Sequence, residues 1–159
     1  MLKKEIGNAI IKKERTMKKF IIFFVIVIVI VSGISYIYIN YRSEYNSSMK
    51  ANMEFEKYQD VEVYGADLAT IINRAVDRNE KNKVSKNNKG IYIDNDSNSI
   101  SIEIKMKDND TIYQMETIYN GGIQNFISYY SNIKFKCVDI KYHDSTHKVR
   151  YMLFEQVSE

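Results

Sequence analysis

Twenty consecutive residues without a charge, Phe20 to Ile39, constrain this chain more than any other feature. At 1.5 Å per residue a helix of that length spans about 30 Å, the thickness of a bilayer's hydrocarbon core. The Ile/Val alternation in FIIFFVIVIVIV would suit a strand in water. A lone strand, however, leaves its backbone polar groups unpaired in lipid, whereas a helix pairs them internally. A transmembrane helix over residues 20–39 is the expectation.

The flanks give it a direction. Residues 1–19 carry Lys3, Lys4, Lys12, Lys13, Arg15, Lys18 and Lys19 against Glu5 and Glu14, a net of +5, while only Arg42 and Lys50 fall in the first dozen residues after the run. The positive-inside rule then puts this basic segment in the cytoplasm and the C-terminal part outside. Tyr36, Tyr38 and Tyr41 fall at the outer end, where amphipathic rings favour the headgroup layer. A cleaved leader is the competing reading, since Val31-Ser32-Gly33 offers small residues and a cut after Gly33. Against it, the apolar character continues through Ile34, Tyr36, Ile37 and Ile39. No cysteine lies in or just after the run, which excludes lipid attachment at a new N-terminal cysteine. Met17-Lys18-Lys19 forms a second basic-then-apolar start, so translation from Met1 and from Met17 both fit.

Beyond residue 19 the balance reverses, with 16 basic against 18 acidic side chains. Phosphate-backbone binding needs clustered Lys and Arg on the folded part, so no nucleic-acid partner is expected. The stretch EKNKVSKNNK, Glu80 to Lys89, is rich in lysine but interleaved with Asn and free of aromatics, as befits a solvated connector.

Residues 40–60 read as a juxtamembrane stalk, with Tyr41, Tyr45, Met49 and Met53 forming a narrow apolar stripe at helical spacing. Residues 61–159 read as one domain. Tyr64, Leu68, Ile71, Ile72 and Ala75 mark an amphipathic helix that ends before Gly90. Ile100, Ile102, Ile104 and Met106 alternate with Ser101, Glu103, Lys105 and Lys107, a half-buried strand. Ile91–Ile93 before it and Thr111–Tyr119 after it complete an expected antiparallel meander. After Asn120-Gly121-Gly122, Ile123, Phe126, Ile127 and Tyr130 indicate a short helix. Two more strands follow, the first changing face through Val138 as a bulge causes. The expected fold class is α+β: a single transmembrane helix, then an antiparallel sheet of about five strands packed against one or two helices.

The search for chemistry yields turns rather than sites. CVDIKYHDSTH brings Cys137, His143, Asp144 and His147 within eleven residues, side chains that zinc accepts. Yet six residues of extended strand put Cys137 about 20 Å from His143, too far for a shared ion or a thiolate–imidazole pair. The lone cysteine excludes an internal disulfide and is expected buried. Asp94 to Ser99 opens like a calcium loop but has Ser99 and Lys105 where glycine and an acid are needed, so a hairpin turn is expected. Asp108-Asn109-Asp110 is likewise expected to be a turn. Glu103 and Glu116 could face each other across strands, but they lack a third group for acid–base work. Phosphate-cradling glycine loops, a GxSxG elbow and HExxH are absent from the sequence. No catalytic, metal or cofactor residue is therefore assigned, and no enzyme is expected.

The resulting functional expectation is a single-pass, membrane-anchored interaction module of the cell envelope. It would hold lipid through its anchor and touch a protein or envelope partner outside. An alternative rests on architecture: an apolar N-terminal helix leading through a stalk to a small sheet resembles pilins and pseudopilins. KKFIIFFVIV has neither the glycine of their processing motif nor the glutamate five residues into their mature helix.

Overall fold

The computed structural model describes residues 2–107 and 111–157, the side chains of 2–11 excepted. The chain divides into two compact units, Met1–Glu44 and Tyr45–Glu159. The first helix, α1 (Leu2–Glu56), runs through the first unit into the second. A chain without proline has no obligatory break in such a helix.

In the first unit, every large apolar side chain from Phe20 to Ile39 is exposed. A helix that is apolar all round needs a non-aqueous surround. Among the described residues, α1 is the one helix long and apolar enough to cross a membrane.

In the second unit, β1 (Glu62–Tyr64) leads into α2 (Gly65–Lys81), and β2 (Ser101–Lys105) and β3 (Ile112–Gln114) follow. Two short helices, α3 (Met115–Asn120) and α4 (Ile123–Tyr130), precede the hairpin of β4 (Lys134–Tyr142) and β5 (Val149–Gln156). The five strands form one sheet in the order β1-β4-β5-β2-β3. Its inward residues, Val63, Ile102, Ile104, Phe135, Cys137, Met152 and Phe154, meet Leu68, Ile71, Ile72 and Ala75 of α2 in one core. Gly65 is dictated by a close approach: a Cβ there would lie 2.0 Å from the Tyr130 carbonyl oxygen. The Gly65 N–H donates to the Ile133 carbonyl at 2.8 Å, binding the start of α2 to the segment after α4.

The α+β class is observed, but the sheet is mixed rather than antiparallel, because β2 pairs parallel with β5. The difference arises between residues 91 and 120. Ile91–Ile93 contributes a single bridge, Lys86 to Tyr92, and no strand. Within Thr111–Tyr119 only Ile112–Gln114 is strand, and α3 begins at Met115. Met115 and Ile118, three residues apart, are both buried, which a helical turn achieves and a strand does not. With the meander cut short, α3 and α4 carry the chain across the sheet, and the β4–β5 hairpin inserts between β1 and β2. The change of face expected at Val138 is a register shift between Cys137 and Asp139.

The end of α1 also turns a different face inward. Tyr45, Met49 and Met53 are 55%, 48% and 66% exposed, whereas Ser48, Asn52 and Phe55 are 6%, 8% and 0% exposed. Phe55 enters the core, and the Arg78 guanidinium lies 5.1 Å from its ring centroid.

Candidate functional site

Two buried asparagines build the most developed polar feature of the second unit. Asn79, fully buried on α2, donates from Nδ2 to the Ile100 carbonyl at 2.7 Å, and its Oδ1 accepts the Ile100 N–H at 2.8 Å. Asn52 on α1 donates to the His147 carbonyl at 2.7 Å and accepts the Val149 N–H at 2.9 Å. Ile100 immediately precedes β2 and Val149 opens β5. In each case a side-chain amide supplies both partners that a neighbouring peptide would supply in a ladder. The starts of the two parallel strands are thereby fastened to two different helices.

Between these fastenings lies an open cleft of about 310 Å³. Ile100 and Val149 contribute apolar surface to it, α1 contributes Ser47, Lys50 and Ala51, α2 and its cap contribute Arg78 and Asn82, and Asn98 and Lys148 complete the lining. Arg78 is held in place by two bonds, donating from Nη1 to the Ala51 carbonyl at 2.8 Å and pairing Nη2 with Glu54 at 3.1 Å. Burial lowers its pKa and the Glu54 carboxylate opposes that shift. Asn82 donates to the Asn98 carbonyl at 2.9 Å, so the two amides share one wall.

A second cleft lies beside the β4–β5 turn, lined by Asp96, His143, Asp144, Ser145 and Arg150. Asp94 holds Arg150 through its Nε at 2.7 Å and also through Nη2. Burial pushes the Asp94 carboxyl up, but the bonds from Arg150 and Ser99 outweigh it and the net shift is downward. Ser145 and Thr146 donate to the carbonyls of Asp96 and Ser97, and the Asn95 side-chain oxygen accepts the N–H groups of Ser97, Asn98 and Ser99. The Asp94–Ser99 loop thus spends its oxygens on its own turn and on the hairpin tip.

Of the four residues singled out in the sequence, His143 and Asp144 line this second cleft, and Cys137 and His147 do not. Cys137 is buried, with Sγ 3.7 Å from the Asp139 carbonyl, and burial pushes its thiol up to about 11. His143 stands at the turn, as expected, and is buried there, with Nε2 2.7 Å from the Ser99 carbonyl. Since that carbonyl only accepts, Nε2 carries the proton. His147 adopts a left-handed φ of 54° in the turn. Among the described residues no group of three or more His, Cys, Asp or Glu is placed to hold a metal ion. Glu103 accepts the Tyr151 hydroxyl at 2.8 Å, whereas Glu116 is buried on α3 and accepts the Tyr92 N–H at 3.2 Å, so the two do not face each other. Asp108-Asn109-Asp110 lies outside the described residues. Within Glu80–Lys89, Glu80 accepts both Lys86 at 2.7 Å and the Tyr92 hydroxyl at 2.6 Å, so this connector is pinned at its start.

Asn52 and Asn79 escaped sequence reasoning because asparagine at a helix position signals a solvated face or a cap. Their one trace is position: Asn79 falls four residues after the buried Ala75, and Asn52 three before the buried Phe55. Compared with known proteins, the chain matches no family model, and neither a curated protein sequence nor a solved structure is detectably similar to it.

Proposed function

We propose that this chain is a single-pass membrane protein with a cytoplasmic N-terminus, whose C-terminal unit acts outside as a non-enzymatic interaction module of the cell envelope. The observation that carries the reading is the run from Phe20 to Ile39, exposed on every side, behind a flank of net charge +5. The non-enzymatic part is supported by how the reactive side chains are engaged. Burial keeps the Cys137 thiol protonated, His143 is bonded to a backbone carbonyl, and Glu103 and Asp94 hold Tyr151 and Arg150. A second reading, a subunit of an envelope-spanning assembly with pilin-like architecture, draws on α1 being one unbroken helical element.

Crosslinking in intact cells, followed by intact-mass analysis of the membrane fraction, separates the two. A single heteromeric adduct supports the module, and a regular ladder of homo-oligomers supports the assembly subunit. Recovery of the full-length chain in the soluble fraction contradicts both.

A further inference from the structure

We propose that the cleft between the ends of α1 and α2 binds a phosphate group, carried by a lipid headgroup or free in solution. Lys50, Arg78 and Lys148 line it, no carboxylate does, and the one carboxylate paired with this set is Glu54, on Arg78. Two positive charges are therefore uncompensated. Among the described residues Lys50 and Lys148 have no ion-pair partner. Lys86, Lys134, Lys136, Lys141 and Arg150 each hold a carboxylate, whereas Lys57, Lys81, Lys83 and Lys89 pair with none among the described residues, so what sets Lys50 and Lys148 apart is that they share a cleft with Arg78.

Several features of the cleft suit an anion. The C-terminal end of α2 would repel one if its carbonyls were bare. Here the carbonyls of Arg78, Asn79 and Glu80 accept the N–H groups of Asn82, Val84 and Lys83 at 2.9, 2.9 and 3.0 Å. Arg78 is fixed by Ala51 and Glu54, yet a guanidinium has five N–H donors and these contacts occupy two nitrogens. Phosphate fits better than carboxylate because the cations sit on three separate segments, α1, α2 and the β4–β5 turn. A tetrahedral oxyanion can accept from three directions, whereas a carboxylate presents one planar pair of oxygens. The lipid source rests on the membrane-anchored reading, and the free source does not.

The test uses the full chain, isotope-labelled, in phosphate-free maltoside micelles, with the backbone amide signals of Asn82, Asn98 and Val149 as probes. Inorganic phosphate is titrated against chloride at matched ionic strength, and in a second titration phosphatidylglycerol is added to the micelles. Saturable shifts of the probes with inorganic phosphate support a free anion, and shifts with the phospholipid alone support a headgroup. In either case Lys50→Gln with Lys148→Gln weakens binding by at least about tenfold. Lys83→Gln with Lys89→Gln, two exposed lysines outside the cleft lining, leaves it within about twofold. The basic segment before the membrane run is unchanged in every variant, so its own attraction to anionic lipid cancels. Absence of saturable shifts in both settings overturns the proposal, as does equal weakening by the two lysine pairs.

Discussion

The side chain of Asn52 embraces the backbone at Val149, accepting its N–H at 2.9 Å while donating to the carbonyl two residues earlier at 2.7 Å. The last turns of α1 are thereby built into the second unit rather than hung beside it. Replacing Asn52 with Ala leaves a buried N–H and a carbonyl without partners. The expected cost is about 2–3 kcal/mol, since each unsatisfied buried group costs about 1–3 kcal/mol. Urea unfolding of the full chain in neutral detergent reads this. A loss below about 0.5 kcal/mol would show that water replaces the amide at no cost.

Asn79 makes the corresponding pair with Ile100 in a fully buried setting. Asn79→Ala is expected to destabilise at least as much as Asn52→Ala, by about 3 kcal/mol. Asn79→Asp keeps the acceptor but loses the donor and buries a charge, so it does not rescue stability. A variant as stable as the parent would contradict the role assigned to this amide.

Gly65→Ala places a methyl group 2.0 Å from the Tyr130 carbonyl oxygen, a backbone atom that cannot swing aside. The start of α2 or the end of α4 has to shift, and overpacking of this kind costs about 1–3 kcal/mol. The fall in Tm should exceed that of Gly33→Ala, where the added Cβ meets nothing within 4 Å.

The Asp94 carboxyl titrates lower in the folded chain than its ordinary value of 3.8, because the bonds from Arg150 and Ser99 outweigh burial. A depressed carboxyl contributes stability that is complete above the unfolded pKa and is lost as pH falls through the folded one. Between neutral pH and about 5 this pair is therefore silent, and its loss begins below about 4. Asp94→Asn should remove about 1 kcal/mol or less at pH 7, given how exposed both partners are. The difference between variant and parent should shrink below pH 4. A difference that grows on acidification would reverse the sign assigned here.

Burial holds the Cys137 thiol up at about 11 against an ordinary value of 9.0, which lowers its thiolate fraction at neutral pH by about a hundredfold. Alkylation by iodoacetamide at pH 8 should therefore be at least about a hundredfold slower in the folded chain than in urea, with burial adding to the effect. Rapid labelling of the folded chain would mark Cys137 as an accessible nucleophile, and would reopen the enzymatic reading.

What the sequence revealed depended on how far each signal was local. The apolar run, α2 and the alternation of Ile102 with Ile104 are periodic within their own segments and were legible. The parallel pairing of β2 with β5 was not, because it follows from where α3 and α4 carry the chain, and a period of two is the same in either pairing. Thr111–Tyr119 is rich in β-branched and aromatic residues, as strands are, but Met115 and Ile118 fall three apart and the core takes the segment from Met115 as a helix. At the end of α1 the hydrophobic stripe pointed the wrong way, since the inward face carries Ser48 and Asn52 beside Phe55 and is held by the side-chain bonds of Asn52 together with the burial of Phe55. The cationic cleft is assembled from residues 47–51, 78–82, 98–100 and 148–149, so no window of sequence contains it.

The central claim, an anchor at residues 20–39 with the C-terminal unit outside, is tested most directly by topology. Lys83 is exposed in the second unit and Lys13 precedes the apolar run. Single Lys83→Cys and Lys13→Cys variants, each with Cys137→Ala, are treated in intact cells with a membrane-impermeant maleimide and again after permeabilisation. The account predicts full labelling at position 83 in intact cells, and labelling at position 13 only after permeabilisation, with both proteins in the membrane fraction. Labelling at position 83 that requires permeabilisation would contradict it.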